Sequence, residues 1–240
     1  MWLPAPDSIR LEKEEVHLWR AGLRRDNETI SEWKNLLCQE ELARAARFRV
    51  EDARRRFIAG RAILRLLLGR YLRRDPAEIL LRYQPHGKPY LAGGAGGFDL
   101  RFNLSHSNEL ALYAFARERE IGVDLEQIRT DRDHDRLAAR FFSPEENAAL
   151  ATLPPEGRRD AFFRCWTRKE AYLKARGEGL SIPLAGFSVS AGQTAALLNV
   201  DFAPEETGRW SLISIDSIPG YAAALAVEGR PPGLRCWVFD

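Results

Sequence analysis

Hydrophobic and polar positions alternate along the chain with two periods, one typical of helices and one typical of strands. Apolar residues recur at helical spacing over residues 53–72, which predicts the strongest helix. Similar patterns predict helices from Ser31 to about Phe48 and from about Asp160 to Ala175. Short apolar segments predict strands at residues 16–19, 102–104, 110–116, 121–125, 187–190, 210–215 and 221–227.

The order of these elements predicts a mixed α/β fold. A helix followed by strands occurs twice, which favours two similar halves, residues 1–118 and 119–240, with a ligand cleft between them. Residues 153–157, LPPEG, are the expected exposed connection in the second half. The glycine-rich residues 93–97 predict a loop, because they do not lead from a strand into a helix as a dinucleotide-binding turn does.

Composition narrows the class of protein. With 240 residues, 45% of them hydrophobic, and a mean hydropathy of −0.35, the chain can bury a core without disulfides. No apolar run approaches the roughly 20 residues of a membrane span, and no secretory signal is visible, so we expect a cytoplasmic protein without a membrane partner. The net charge of +2 does not favour nucleic acid as a partner. Eleven arginines nevertheless lie among residues 44–74, with only two acids.

Three acidic residues are candidates for metal chemistry. Asp124 and Glu126 are two apart on a predicted strand, so both side chains lie on one face, where hard oxygen ligands suit a divalent ion such as Mg²⁺. A solvated strand end would explain the same pattern. Glu170 is four residues before Lys174 on a predicted helix, which suits either a third carboxylate with a neighbouring cation or an ordinary surface ion pair.

Three further segments suit an anionic ligand. Ser105 and His106 are adjacent, so they do not form the nucleophile and base of one triad, and a phosphate-binding loop or a structural turn remains. The turn at residues 87–89, GKP, is either a nucleotide-binding turn or an ordinary one, and it lacks the Walker spacing. Arg44 and Arg47 lie on one helical face that suits a ligand phosphate or plain solvation.

In combination and in order, these motifs resemble those of the Sfp-type 4′-phosphopantetheinyl transferases. The matching segments are residues 87–89 (GKP), 102–107 (FNLSHS), 121–126 (IGVDLE), 140–146 (RFFSPEE) and 166–174 (WTRKEAYLK). They follow the family's order and spacing, and the resemblance extends from about residue 44 to residue 227.

The resemblance implies a pseudo-dimeric α/β fold that binds coenzyme A between its two halves. The implied reaction moves the 4′-phosphopantetheine arm to a serine of an apo carrier protein, with Mg²⁺ assistance and release of 3′,5′-ADP. Acyl, polyketide or peptidyl carriers are the implied partners. Because one chain contains both halves, we expect a monomer.

The resemblance also implies a role for each matching residue. The magnesium ligands are Asp124, Glu126 and Glu170. The coenzyme A-binding residues are Arg44, Arg47, Lys88, Pro89, Ser105, His106, Asp124, Glu170 and Lys174. Among these, the two arginines match residues near the 3′-phosphate, and Lys174 matches one near the pyrophosphate. The catalytic residues are Glu170, Lys174 and His106, with Glu170 as our first choice for the base that accepts the serine proton.

Two other classes of function stay open from the sequence. A metal-dependent nucleotide pyrophosphatase would use the same acids with water as the nucleophile, and it would cleave coenzyme A without a carrier. A catalytically silent module would bind the carrier or the nucleotide only. The intact set of Asp124, Glu126, Glu170 and Lys174 speaks against this last alternative.

Overall fold

Two β-sheets packed face to face form the centre of the molecule, and a 22-residue helix covers the outer side of each. The computed structural model describes residues 1–92, 99–130 and 133–240. The predicted loop at residues 93–97 lies outside the described residues. The α/β class predicted from the sequence is confirmed.

The described part of the chain contains six α-helices and twelve strands. The helices are α1 (Asn27–Trp33), α2 (Gln39–Ala46), α3 (Glu51–Leu72), α4 (His134–Phe141), α5 (Pro144–Ala151) and α6 (Pro155–Arg176). The strands are β1 (Leu3–Pro4), β2 (Glu15–Gly22), β3 (Leu81–Tyr83), β4 (Pro89–Leu91), β5 (Leu100–Ser107), β6 (Leu110–Arg117), β7 (Ile121–Gln127), β8 (Phe187–Val189), β9 (Leu197–Val200), β10 (Trp210–Ser214), β11 (Tyr221–Glu228) and β12 (Gly233–Phe239).

The two large sheets differ in size and in strand direction. The first has five strands in the order β1-β12-β2-β6-β5, with β12 parallel to both of its neighbours and the other pairs antiparallel. The second has three antiparallel strands in the order β10-β11-β7. Two short hairpins, β3-β4 and β8-β9, lie outside these sheets.

Alternate residues of the strands supply different hydrophobic cores. On β6, Tyr113 packs in the core that contains α3, whereas the neighbouring Leu112 packs between the two sheets. On β11, Ala224 packs in the core that contains α6, whereas Leu225 packs between the sheets. The period of two therefore places one apolar face of each sheet against a helix and the other face against the opposite sheet.

The long helices α3 and α6 have sequence signals at their ends. Two acids, Glu51 and Asp52, occupy the first turn of α3, where negative charge is favoured by the helix dipole. α6 ends at Gly177, which has a left-handed φ of 74° that costs glycine little. The bounds of α3 and the end of α6 agree with the helices predicted from apolar spacing, whereas α6 begins at Pro155, before the predicted start near Asp160.

The prediction of one helix from Ser31 to about Phe48 is wrong. The chain instead forms α1, a 3₁₀ turn at Lys34–Leu36 and then α2. Leu37 and Cys38 are extended between them, and the Glu41 side chain accepts a hydrogen bond from the Cys38 backbone N–H, which caps the start of α2. Neither glycine nor proline marks this break, so apolar spacing alone does not reveal it.

The exposed connection predicted at residues 153–157 is shorter than expected. α6 already begins at Pro155, because proline fits the first helical position, where a backbone N–H has no partner within the helix. Only the residues before it link α5 to α6.

The division into halves at residues 118 and 119 falls in the turn between β6 and β7 and stays a prediction. β12, from the end of the chain, pairs with β2 in the first sheet, so the second half in sequence contributes a strand to the first half in space. Among the described helices, none is both long and apolar enough to cross a membrane.

Candidate active site

A cleft of about 280 Å³ lies where the loop before β4 and the strand β5 face the C-terminal part of α6. Basic and acidic side chains from both halves of the chain line it, including Arg61, His86, Lys88, His106, Glu170 and Lys174. An anionic ligand in this cleft would therefore meet several cations. It would also meet Glu170, one of the three acids predicted from the sequence as metal ligands.

β5 and β7 belong to different sheets, and polar side chains of β5 bond to the backbone of β7. The Asn103 side-chain oxygen accepts the backbone N–H of Val123 at 2.9 Å, and the Ser105 hydroxyl accepts that of Leu125 at 3.2 Å. The Ser107 hydroxyl in turn accepts the N–H of Gln127 at 3.0 Å. Because residues two apart share one face of a strand, this polar ladder fixes the register of β7 against β5.

Each serine of this ladder also holds one of the predicted metal ligands. The Ser105 hydroxyl donates to Asp124 Oδ1 at 3.0 Å, and the Ser107 hydroxyl donates to Glu126 Oε2 at 3.0 Å. Each hydroxyl thus binds an acid and the N–H of the residue that follows it. The two carboxylates are oriented by β5 as well as by their own strand.

The strand β7 and the helix α6 approach each other closely at Gly122. A Cβ atom at this position would lie 2.1 Å from the Ala171 carbonyl oxygen and 2.3 Å from the Ala175 backbone nitrogen. Only glycine leaves room for this contact. Since Glu170 and Lys174 adjoin these two alanines on α6, the close approach brings both of them to the acids of β7.

Lys174 pairs with Asp124, not with Glu170. Its Nζ donates to Asp124 Oδ1 at 2.6 Å and to the Ser105 hydroxyl at 2.9 Å. No ion pair joins Glu170 to Lys174 among the residues described here, so the surface-pair alternative for this helix is not observed. Ser105 donates one hydrogen bond and accepts two, which uses its hydroxyl fully.

Two of the three acids, Glu126 and Glu170, have a raised pKa. Burial raises the pKa of Glu170 to about 6, and the negative charges of Asp124 and Glu126 add to the effect while Lys174 opposes it. Burial also raises the pKa of Glu126, followed by the charge of Asp124. Three carboxylates that repel in this way would gain from a shared cation.

The donor set suits a divalent cation such as Mg²⁺. Asp124 Oδ2 is buried and has no hydrogen-bond partner, so one ligand oxygen is unsatisfied in the protein alone. Within residues 1–92, 99–130 and 133–240, however, no three histidine, cysteine or acidic side chains are already grouped closely enough to hold a metal ion. The residue types fit the ion, and their side chains would have to move to share it.

Lys88 has its three donors bound to protein oxygens. Its Nζ donates to Glu120 Oε2 at 3.1 Å, to the Ile121 carbonyl at 3.1 Å and to the Ala175 carbonyl at 3.0 Å. Burial lowers the pKa of this lysine. The ammonium thus ties the loop to β7 and α6, while Pro89 follows it at the start of β4 in the cleft wall. Nucleotide contact by either residue stays a prediction.

His106 lies in the wall of the same cleft, on β5 next to Ser105. The residue is exposed at the mouth, so a ligand can reach it. Partial burial of the ring lowers its pKa, and the positive charges of Lys174 and Arg61 act in the same direction. A neutral imidazole among cations can bind a phosphate or move a proton there.

Arg44 and Arg47 do not line the cleft. Both are exposed near the C-terminal end of α2, and Arg44 lies over the Phe57 ring at 5.6 Å. Their predicted contact with a 3′-phosphate stays a prediction, with Arg44 the better placed of the two because Phe57 also contacts the cleft residue Arg61.

Sequence reasoning missed four residues of this region: Arg61, His86, Asn103 and Ser107. Asn103 and Ser107 are two positions from Ser105, so strand alternation would have placed all three on one face. Arg61 follows Phe57 by one helical turn, and an arginine inside an apolar helical stripe was the available signal. His86 has no comparable signal.

The chain matches two family descriptions that together span most of it. Residues 25–118 match the model of "4′-phosphopantetheinyl transferase, N-terminal", and residues 120–226 match that of the "4′-phosphopantetheinyl transferase superfamily".

Individual relatives are similar over much of the chain. It is 42% identical to the 4′-phosphopantetheinyl transferase HetI of Nostoc sp., over 99% of this chain and 98% of that one. It is 28% identical to the 4′-phosphopantetheinyl transferase Sfp of Bacillus subtilis, over 80% and 82% of the two chains. The solved holo-[acyl-carrier-protein] synthase of Thermotoga maritima aligns with 22% identity and a TM-score of 0.37, over 46% of this chain and 63% of that one.

Proposed function

The chain belongs to the 4′-phosphopantetheinyl transferases, and from this premise we propose that it transfers the 4′-phosphopantetheine arm of coenzyme A to a serine of an apo carrier protein. The second product is 3′,5′-ADP. The observation that carries the proposal is a cleft lined by Glu170, Lys174 and further cations, with Asp124 bound directly to Lys174. Coenzyme A, with its three phosphates, is an anion of the kind such a cleft binds.

We propose that the acids and Lys174 act on the pyrophosphate of coenzyme A. A divalent cation held by Asp124, Glu126 and Glu170, which we take to be Mg²⁺, would supply positive charge to the pyrophosphate oxygens. Lys174 lies 2.6 Å from Asp124 and offers a second positive charge at the same place. We assign to Lys174 and His106 the protonation or stabilisation of the leaving phosphate.

Glu170 is the residue best suited to accept the proton of the attacking serine. Its pKa of about 6 makes it a stronger base than an ordinary glutamate, and it is still ionised at neutral pH. The serine itself belongs to the carrier protein. This accounts for a site rich in acids and cations in which Ser105 and His106, adjacent on β5, do not act as a nucleophile and its base.

A basic surface between α2 and α3 suits an acidic carrier protein. The exposed arginines Arg47 and Arg49 alternate there with the exposed apolar side chains of Phe48 and Val50. Opposite charge speeds the encounter of two proteins, and exposed apolar groups add contact area. Acyl, polyketide and peptidyl carriers all remain within this proposal.

The organisation of the chain belongs to the same proposal. We divide it into residues 1–118 and 119–240, which is supported by one family model ending at residue 118 and the next beginning at residue 120. Residues from both halves line one cleft, so a single chain is sufficient for the site and we propose that it acts as a monomer.

Chromatographic analysis of the nucleotide products tests the function. The protein is incubated with coenzyme A and Mg²⁺, alone, with an apo carrier, and with a carrier whose acceptor serine is replaced by alanine. The proposal predicts 3′,5′-ADP only with the intact carrier. Formation of 3′,5′-ADP without any carrier would indicate a pyrophosphatase instead, and binding without product would indicate a silent module.

A further inference from the structure

Lys174 binds the most buried of the three acids of the candidate site. Its Nζ donates to Asp124 Oδ1 at 2.6 Å and to the Ser105 hydroxyl at 2.9 Å, and only 4% of the Asp124 side chain is exposed. Among the residues that the structure describes, no other lysine or arginine forms an ion pair with Asp124, Glu126 or Glu170. Lys174 is therefore the cation that the protein itself supplies to these acids.

One ammonium group is a poor match for three carboxylates. Asp124 Oδ2 is buried without a hydrogen-bond partner, which is costly for a charged oxygen. Glu126 Oε2 accepts a hydrogen bond from the Ser107 hydroxyl and meets no cation. In the described ranges, no three acidic, histidine or cysteine side chains lie close enough together to hold a metal ion. The side chains are thus arranged around the ammonium group of Lys174 and not around a divalent ion.

Lys174 and a divalent cation would compete for Asp124. Both neutralise the same carboxylate, and two positive charges at one carboxylate repel each other most strongly where water is excluded. A divalent ion carries twice the charge of the ammonium group and would attract Glu126 and Glu170 as well. The unpartnered Oδ2 gives such an ion a first contact while Lys174 still holds Oδ1.

The surroundings of Lys174 allow its side chain to leave Asp124 without disturbing the fold. The side chain is 29% exposed and lines the cleft, and lysine has a long flexible stem. Ser105 keeps its own bonds to Asp124 and to the backbone N–H of Leu125 when the ammonium group departs. The close contact at Gly122 holds the backbone of α6 in place. The movement therefore breaks only the two hydrogen bonds of one side chain.

We propose that Lys174 is an internal cation that closes the metal site of the ligand-free protein and turns into the cleft when a divalent cation is bound. This inference rests on the proposed function and concerns the regulation of the same site. Lys174 released in this way is available to the pyrophosphate of coenzyme A, which gives its charge a new partner. The metal and the substrate then each favour the binding of the other.

Calorimetric titration with Mn²⁺, in the absence of coenzyme A and carrier, tests the competition. Lys174→Met keeps the stem of the side chain and removes its charge. Arg159→Met is the matched control, because it removes one positive charge from the same helix, where Arg159 is partly exposed and pairs with Asp160 at 3.3 Å. We expect Lys174→Met to bind Mn²⁺ at least about 10-fold more tightly than wild type, and Arg159→Met to match wild type.

Acetylation of lysines, located by mass spectrometry, tests the movement in the wild-type chain and so does not depend on the folding of any variant. Lys174 should react slowly without metal, because its ammonium group is paired, and at least severalfold faster with Mg²⁺. Lys34 and Lys169 are the internal references. Lys34 is exposed and should react rapidly in both conditions, whereas Lys169 is fully buried against Glu146 and should stay unreactive.

Equal or weaker Mn²⁺ binding by a well-folded Lys174→Met protein would overturn the proposal, as would the absence of Mn²⁺ binding by both proteins. A rate of Lys174 acetylation that saturating Mg²⁺ leaves unchanged would show that the ion pair with Asp124 is permanent, and would also overturn it. The proposed function is judged separately, because a wild-type protein that still modifies the carrier protein in the same preparation remains a transferase whatever Lys174 does.

Discussion

The two oxygens of Asp124 have different environments, and this difference places the residue at the centre of the site. Oδ1 accepts hydrogen bonds from Lys174 and Ser105, whereas Oδ2 is buried with no partner. Oδ1 therefore binds the ammonium group of Lys174, and Oδ2 is available to a metal cation from solution. Strand alternation predicts that Asp124 and Glu126 share a face, but the ion pair with Lys174 joins residues 50 positions apart and has no local signal.

Replacing Asp124 by Asn keeps the size of the side chain and removes its charge. We expect transfer to fall by at least about 100-fold, because a neutral amide neither pairs with Lys174 nor supports a divalent cation as a carboxylate does. The rate is measured as carrier protein converted per unit time. Circular dichroism and thermal unfolding serve as the control for folding, and a well-folded Asp124→Asn protein with wild-type turnover would remove Asp124 from the site.

The raised pKa of Glu170 makes folding stability depend on pH. Its pKa is about 6 in the folded protein against 4.5 ordinarily, so the folded state binds the proton more tightly than the unfolded chain. The stabilisation is fully present below pH 4.5 and is lost as the pH rises through 6. Between pH 4.5 and 7.5, in EDTA, wild type should lose about 1–2 kcal/mol relative to Glu170→Gln.

Urea unfolding of the two proteins at both pH values measures this difference. Glu170→Gln is the matched comparison, since it keeps the shape and every other titrating group of wild type. Free energies of unfolding that change in parallel for the two proteins would show that Glu170 titrates at its ordinary pKa.

At the scale of secondary structure elements, the site depends on how closely α6 lies against β7. The contact at Gly122 brings backbone atoms of Ala171 and Ala175 within van der Waals distance of the strand. On the other side of β7, the ladder of Asn103, Ser105 and Ser107 fixes the same strand to β5. The strand that carries the two acids is thereby held from two directions.

Replacing Gly122 by Ala should push α6 away from β7. A Cβ atom 2.1 Å from a backbone oxygen has no room, so we expect a loss of about 2–3 kcal/mol in the free energy of unfolding. Transfer activity should fall as well, because Glu170 and Lys174 move with α6. Urea unfolding measures the first effect and carrier modification the second.

Gly157→Ala is the matched control for this substitution. Gly157 lies in the first turn of the same helix, and its added Cβ would meet only the Pro154 ring at 3.9 Å. We expect this variant to be at least as stable as wild type, since alanine is the better helix former. Equal effects of the two substitutions would contradict the close-approach explanation.

The sequence predicted the elements of the fold better than their arrangement. The spacing of apolar residues identified α3, α6 and most strands, because each of these elements buries one face along its own length. The break between α1 and α2 was missed because a capping interaction, not a glycine or proline, produces it. The pairing of β12 with β2 joins the two ends of the chain, and no local pattern contains that information.

At the scale of the whole molecule, two helix-covered sheets share an apolar core and one polar cleft. The core between the sheets contains residues of both, including Leu112 and Leu225, so the halves are built as one folded unit. Residues from both halves line the cleft. This explains why the motifs that predict the site are far apart in the sequence. Family resemblance predicted the residue types of the candidate site from the sequence, whereas the place of Arg61 in the cleft wall follows from the folded structure.

The most direct test of the central claim is the intact mass of an apo carrier protein incubated with this protein, coenzyme A and Mg²⁺. We predict that the carrier gains about 340 Da, the mass of the transferred arm, and that EDTA prevents the gain. A carrier without its acceptor serine should keep its mass. Unchanged masses for apo acyl, polyketide and peptidyl carriers under these conditions would contradict the account.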